Sequence, residues 1–296
     1  MAGDYLAQVR HYDRLFDQAL TTQYSLSIRI DPDGLSFSVY SHLVSRYIVL
    51  ESVNLHNSSS FSSLESAKAL FNDRLNVFFN QHPWILKPFR HTCLIINSVS
   101  FTLVPHALYD PAQKENYLDF VHRKMNSGVI LEHFLNSAEA WVVYSINKNL
   151  SELLNRNFSS AKLLHHAGAM IETILPRYRH SELRNPVFVN IRTGSFDIIV
   201  LKEGKLLYCN SFEWRSNEDL VYYLIFVLDQ LNLNPENVPV VLSGGVDPDS
   251  PLFELIKRYI RHVDLIKNPD SSVPGISIPQ SFGYKFYDLL NPVLCG

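Results

Sequence analysis

The sequence predicts an α/β protein built from two copies of one unit, strand–turn–strand–strand–helix–strand, with a mixed sheet in each copy. Two observations predict it. Leu26–Ser52 (LSIRIDPDGLSFSVYSHLVSRYIVLES) and Val187–Glu213 (VFVNIRTGSFDIIVLKEGKLLYCNSFE) align without a gap at an offset of 161 residues, so that Arg29 meets Asn190, Ile30 meets Ile191, Gly34 meets Ser195, Val39 meets Val200 and Tyr47 meets Tyr208. Each stretch is then followed by a helix-period segment and a short, almost wholly apolar strand.

The elements follow in order. Tyr24–Ile30 and Leu35–Tyr40 alternate as strands around Asp31-Pro32-Asp33-Gly34, a strong turn signal, and Tyr47–Val53 is a third strand rich in β-branched residues. In Leu64–Asn80, apolar residues at 64, 67, 70, 71, 75 and 78 recur at helical spacing, with Ser62 or Ser63 as the cap. Thr92–Asn97 is a buried strand. The middle of the chain predicts strands at Ser100–Val104 and Val129–Phe134, a helix at Glu115–Arg123, a hairpin return at Ala140–Ile146 and a strand at Ala161–His165. A helix over Gly168–Tyr178 should end near Pro176. The polar segment 180–186, closed by Pro186, separates a first domain, residues 1–182, from a second, residues 183–296.

The second copy predicts strands at Val187–Ile191, Phe196–Leu201 and Leu206–Phe212, the last two joined by Glu203-Gly204. Glu218–Leu231 reads as a helix capped by Ser216 or Asn217, apolar nearly all round and therefore buried. Val238–Leu242 is the matching buried strand and runs into Ser243-Gly244-Gly245. Ser250-Pro251 opens a helix to Arg261, and a last helix is expected around Tyr284–Leu290.

Bulk properties restrict the function. At 296 residues, 46% hydrophobic, the chain can fill two cores. A net charge of −3 supplies no basic footprint for nucleic acid. The longest apolar run, Leu220–Leu228, is about half of a membrane span, and the charged N-terminal stretch does not read as a secretory signal. Three scattered cysteines, Cys93 and Cys209 in apolar runs as small buried residues and Cys295, fit a cytoplasmic location. No pair of the twelve histidines has zinc-ligand spacing; the adjacent His165 and His166 read as a strand-to-helix junction, so no metal site is assigned.

The duplicated unit resembles the ground plan of the actin-like ATPase superfamily, two ribonuclease-H-like domains with an insertion in the first. It is similar above all to the pilus and secretion assembly proteins of that superfamily, and to an uncharacterised bacterial family with this fold. The resemblance covers Leu26 to Tyr259. It implies that the turn after each first strand holds nucleotide phosphates, with an Asp acting through metal-bound water. At those positions this chain carries Arg29 and, in the second copy, Asn190, with Arg192 at an expected glycine. Asp31, Asp33 and Gly34 lie in the first turn; Thr193, Gly194 and Ser195 keep small or hydroxyl character in the second. VPVVLSGGVDPDSPLFELIKRY, with Ser243, Gly244 and Gly245, resembles the adenosine motif, where glycine lets backbone approach base and ribose.

Arg cannot stand in for a carboxylate that organises Mg²⁺, although it can neutralise a phosphate directly. The Asp31–Gly34 turn therefore reads either as a tight hairpin or as a rearranged metal site. The P-loop, the dinucleotide fingerprint and the GxSxG elbow are missing, and the strands lack the carboxylates of a two-metal nuclease. The expectation is a pseudoenzyme, a scaffold or adaptor for a protein partner that retains at most ATP/Mg binding; the alternative is an active ATPase or small-molecule kinase with atypical loops. No residue is singled out as catalytic.

Overall fold

The computed structural model describes residues 6–55, 64–122, 128–267 and 280–290. The first half contributes β1 (Leu6–Tyr12), β2 (Tyr24–Asp31), β3 (Gly34–Ser41), β4 (Arg46–Asn54), α1 (Leu64–Gln81) and β5 (His91–Ile96). An insertion follows: β6 (Phe101–Pro105), α2 (Lys114–Val121), β7 (Gly128–Leu135), β8 (Ala140–Asn147) and α3 (Lys148–Asn157). The chain then returns through β9 (Lys162–His165) and α4 (His166–Tyr178). The second half holds β10 (Val187–Arg192), β11 (Ser195–Lys202), β12 (Lys205–Glu213), α5 (Asn217–Gln230), β13 (Pro239–Gly244), α6 (Pro251–Tyr259), β14 (His262–Leu265) and α7 (Gln280–Lys285).

The sheets run β1-β4-β3-β2-β5-β9 and β12-β11-β10-β13-β14, so the second repeats the first without its edge strand β1; β6-β8-β7 is the sheet of the insertion. The repeat holds residue by residue. Asp31 pairs with Gly34 at the end of the first hairpin and Arg192 with Ser195 at the end of the second. The pairing with the third strand slips between Val39 and Tyr40 in one copy, and between Val200 and Leu201 in the other. Both features fall at the 161-residue offset. In each copy the first strand pairs in parallel with the strand after the helix, Arg29 beside Ile95 and Asn190 beside Ser243. Both sheets are mixed, as the resemblance implied.

One apolar cluster joins the halves. Met170, Ile171, Ile174 and Leu175 of α4 share it with Ile28, Leu94 and Ile96 of the first sheet and with Phe188, Ile199 and Leu201 of the second. A smaller cluster brings Phe286, Leu289 and Leu290 from the end of the chain onto Tyr47, Leu50, Cys93 and Ile95 of the first sheet. Burying each such side chain contributes about 1.5–3 kcal/mol, before chain entropy is counted.

Several local expectations need correction. α5 is not buried all round: Leu220, Leu224, Val227 and Leu228 face the core, while Tyr222 is 64% and Phe226 48% exposed. One sheet covers one stripe of a helix, and nothing among the described residues covers the other. α4 continues through Pro176 to Tyr178, because proline in the last turn removes one N–H and the chain rejoins the helix with Arg179 N–H donating to Leu175 O at 3.0 Å. The last helix is Gln280–Lys285, with a turn at 286–289 carrying the buried side chains. Cys209 is only half-buried, since β12 is an edge strand. β1, α3 and β14 add to the elements the sequence predicts. The cap expected at Ser62 or Ser63, and Cys295, lie outside the described residues.

Candidate functional site

The two repeated turns and the Ser243–Gly245 turn face one another across a cleft of about 200 Å³. Arg29, Asp31, Asp33, Gly34, Thr193, Gly244 and Gly245 all line it, together with Asn97, Arg192, Lys285 and Phe286. Gly194 and Ser195 line an adjoining groove of about 350 Å³ with Ser98, Ser145 and Asn147. Asn190 and Ser243 are buried beneath the cleft, the Ser243 hydroxyl donating to Asn190 Oδ1 at 3.1 Å.

Arg29 stands near the end of β2 and is fixed from two sides. Its Nε donates to Asp31 Oδ2 at 2.9 Å and its Nη1 to Asp288 Oδ1 at 2.7 Å, with the guanidinium 5.7 Å from the Phe286 ring centre. Burial disfavours its charge, yet Asp288 and Asp31 together hold its pKa above the ordinary value. Burial likewise favours a neutral Asp31, but Arg29 and a hydrogen bond from Asn97 Nδ2 at 3.0 Å keep its carboxyl below the usual range.

The second turn is fixed in the same manner by different residues. Arg192 presents two guanidinium nitrogens to Asp197 of β11, Nη2 to Oδ1 at 2.8 Å and Nη1 to Oδ2, a forked pair with both partners buried. His166 Nε2 donates to Asp197 Oδ1 at 3.0 Å and the Ser211 hydroxyl donates to the same oxygen. Burial would raise the Asp197 carboxyl; the Arg192 charge leads the effects that hold it well below its ordinary value. His166 itself is kept neutral by burial and by Arg192. Outside this shell, Lys285 pairs with Asp247 at 2.7 Å, and Tyr284 hydrogen-bonds the same carboxylate at 3.1 Å.

The glycines have local causes. Gly244 has φ +85°, and a Cβ there would collide with the Ile191 carbonyl and lie 2.9 Å from Asn190 Oδ1. That carbonyl also accepts from Gly245 N–H at 2.7 Å. At Gly34 a Cβ would collide with the Val53 carbonyl of β4. Gly194, with φ +72°, has open space on that side and needs glycine for its conformation alone.

Sequence reasoning brought the three turns together and missed the groups that fix them. Asp288 comes 259 residues after Arg29, and no local pattern announces that contact. Asp197 did leave a signal: a lone carboxylate in the apolar run Phe196–Leu201, which a buried strand tolerates only when paired.

The chain belongs to the DUF3822 family, described as proteins of unknown function, whose model matches residues 13–263. Among curated proteins none matches. A Bacteroides thetaiotaomicron protein of actin-like ATPase fold and unknown function is 25% identical, over 85% of this chain and 94% of that one, with a TM-score of 0.75. PilM, from the PilM–PilN type IV pilus biogenesis complex, is 12% identical over 90% of this chain and 96% of its own, with a TM-score of 0.61. The fold is that of the actin-like ATPases.

Proposed function

We propose that this protein is a non-catalytic scaffold or adaptor of actin-like fold, with degenerate phosphate loops, that recognises a protein partner in the cytoplasm. One observation carries the reading: Arg29, Arg192 and Lys285, the cations bordering the cleft, are each matched to a carboxylate of the chain itself, Asp31 with Asp288, Asp197 and Asp247 respectively. A polyphosphate entering the cleft would have to displace those partners or meet a field already balanced. The residues present do not fit a metal-bound nucleotide. Arg29 and Asn190 stand at the strand ends where the resemblance places metal-organising carboxylates, and both oxygens of Asp31 accept bonds from Arg29 and Asn97. PilM, seen together with PilN, is an instance of this fold holding a protein. The division between the two repeated units falls near residue 183 in this reading.

The alternative, a working ATPase or small-molecule kinase with atypical loops, draws on two buried donors at the cleft, Asn190 Nδ2 and Arg192 Nε, that have no hydrogen-bond partner among the described residues. Titration calorimetry with ATP, with and without Mg²⁺, separates the readings. The expected outcome is no Mg²⁺-dependent binding, and hydrolysis no faster than in a mock preparation. Tight Mg²⁺-dependent binding with turnover lost in Asp31→Ala would establish the enzyme instead.

A further inference from the structure

The outward face of α5 is unlike the rest of the second half. Tyr222, Ile225 and Phe226 of α5 form one wall, and Leu255 and Tyr259 of α6 the other, of a groove of about 490 Å³. Tyr222, Phe226 and Tyr259 are 64%, 48% and 57% exposed. A scattered exposed aromatic needs no explanation, but a contiguous groove of them does. Tyr222 and Phe226 are four residues apart and their rings stack at 6.3 Å, so the wall is preformed.

The charges say what fits there. Glu218 and Asp229 line the two ends of the same groove, both exposed, and lie on the same stripe of α5 as Tyr222 and Phe226. Eleven residues of helix set them about 16 Å apart. Neither makes an ion pair among the described residues, whereas Lys257 of α6 and Arg261 just after it are matched to Glu254 at 3.6 Å and Glu236 at 3.4 Å. Arg258 is the cation of α6 outside such a pair. A second copy docked antiparallel on this stripe through a two-fold axis would set Glu218 against Asp229 of its mate, carboxylate on carboxylate. A membrane surface with anionic lipids would meet the same acidic rim.

We infer that the α5–α6 groove is a docking site for an amphipathic helix of a partner protein, one with an apolar stripe bounded by a Lys or Arg at each end. The aromatic walls supply the buried anchors, and the two carboxylates fix register and direction by pairing with the basic ends. This deepens the adaptor reading and rests on it for the existence of a protein partner, while standing on a surface away from the cleft.

The test uses the full chain and two fluorescein-labelled helical peptides with the same Leu/Phe stripe, one ending that stripe in Lys at both ends and the other in Glu. Fluorescence anisotropy should show the Lys peptide binding at least about tenfold more tightly than the Glu peptide, about 1.4 kcal/mol in all. Glu218→Lys with Asp229→Lys should reverse that order, and Tyr222→Ala should weaken both peptides. Thermal melting checks that each variant is folded; should the double reversal unfold, Glu218→Gln with Asp229→Asn should abolish the preference. Equal binding of the two peptides, or binding of neither, would overturn the site. So would a wild-type dimer in sedimentation that Tyr222→Ala dissociates, since the groove would then belong to a second copy. These outcomes leave the calorimetric result at the cleft untouched, so the two proposals fail separately.

Discussion

His165, His166, Asp197 and Arg192 make a continuous buried polar chain where the two sheets approach. His165 ends β9 and caps α4, its Nδ1 accepting from Ala167 N–H at 3.3 Å while its Nε2 donates to Ser98 O at 2.7 Å. The His165 ring therefore acts as a neutral Nε2–H donor, whereas His166 faces an acceptor at each nitrogen, Asp197 Oδ1 at 3.0 Å from Nε2 and Ile96 O at 3.4 Å from Nδ1. Burial lowers the pKa of His165 well below its ordinary value, with its neighbour His166 adding to the effect, and lowers that of His166 as well. His133 of β7, packed against Gly168 without a hydrogen-bond partner among the described residues, is pushed down to about 4 by burial. Groups whose folded pKa is depressed below the unfolded value of about 6.5 bind more protons when the chain unfolds. Stability should therefore fall as pH drops from 6.5 towards 4, each histidine contributing at most about 1.4 kcal/mol per pH unit. The depressed carboxylates, Asp31 and Asp197, act in a lower window: their contribution is complete above about pH 3.9 and disappears below it. Urea denaturation at pH 7 and pH 5 should show a lower midpoint at pH 5, and His133→Leu should narrow the difference. A midpoint independent of pH in this range would mean that these rings are not held neutral.

At the scale of elements, Gly244 and Gly194 offer a matched pair. Both have positive φ, so alanine costs each about 1–2 kcal/mol in conformation. Gly194→Ala meets nothing within 4 Å, whereas Gly244→Ala meets the Ile191 carbonyl and must push β13 away from β10. Gly244→Ala should cost at least about 2 kcal/mol more than Gly194→Ala in chemical denaturation, a difference in the range of overpacked cores. Equal costs would show that the approach of β13 to β10 is looser than described. The same contrast shows what the sequence could tell. The 161-residue offset was legible because a hairpin has period-two burial and a turn signature, and these survive in IRIDPDGLSFSV and VNIRTGSFDIIV. A Gly-Gly pair announces close approach but not what approaches. At Gly244 that neighbour is the chain's own carbonyl, which only the packing of two strands reveals. β1 gives no strand signal because its stretch carries Arg10 and His11 like a surface segment, and β14 none because four residues are too few to show a period.

At the scale of the whole molecule, the repeated units share too much interior to behave as independent domains. α4 follows the first sheet in sequence, yet its Ile171, Ile174 and Leu175 pack in one cluster with Phe188, Ile199 and Leu201 of the second. The end of the chain crosses in the other direction, with Asp288 on Arg29, Leu289 O accepting from the Ser38 hydroxyl at 2.9 Å, and Leu289 and Leu290 in the first sheet's core. Separating the units would expose apolar surface from both and leave Arg29 buried beside a single carboxylate. Breaking a buried pair in that way costs about 3–5 kcal/mol, a large share of a typical folding free energy. The halves should therefore unfold in one transition. Trp84 reports on the first core and Trp214, whose Nε1 donates to Arg192 O at 3.1 Å, on the second turn. Variants keeping only Trp84 or only Trp214, the other tryptophans replaced by Phe, should give coincident fluorescence curves in urea. Asp288→Ala should shift both curves to lower urea together, because the ion pair it removes ties the end of the second unit to the first sheet. Two separated curves, or a shift confined to the Trp84 signal, would make the shared core a contact between bodies that fold on their own.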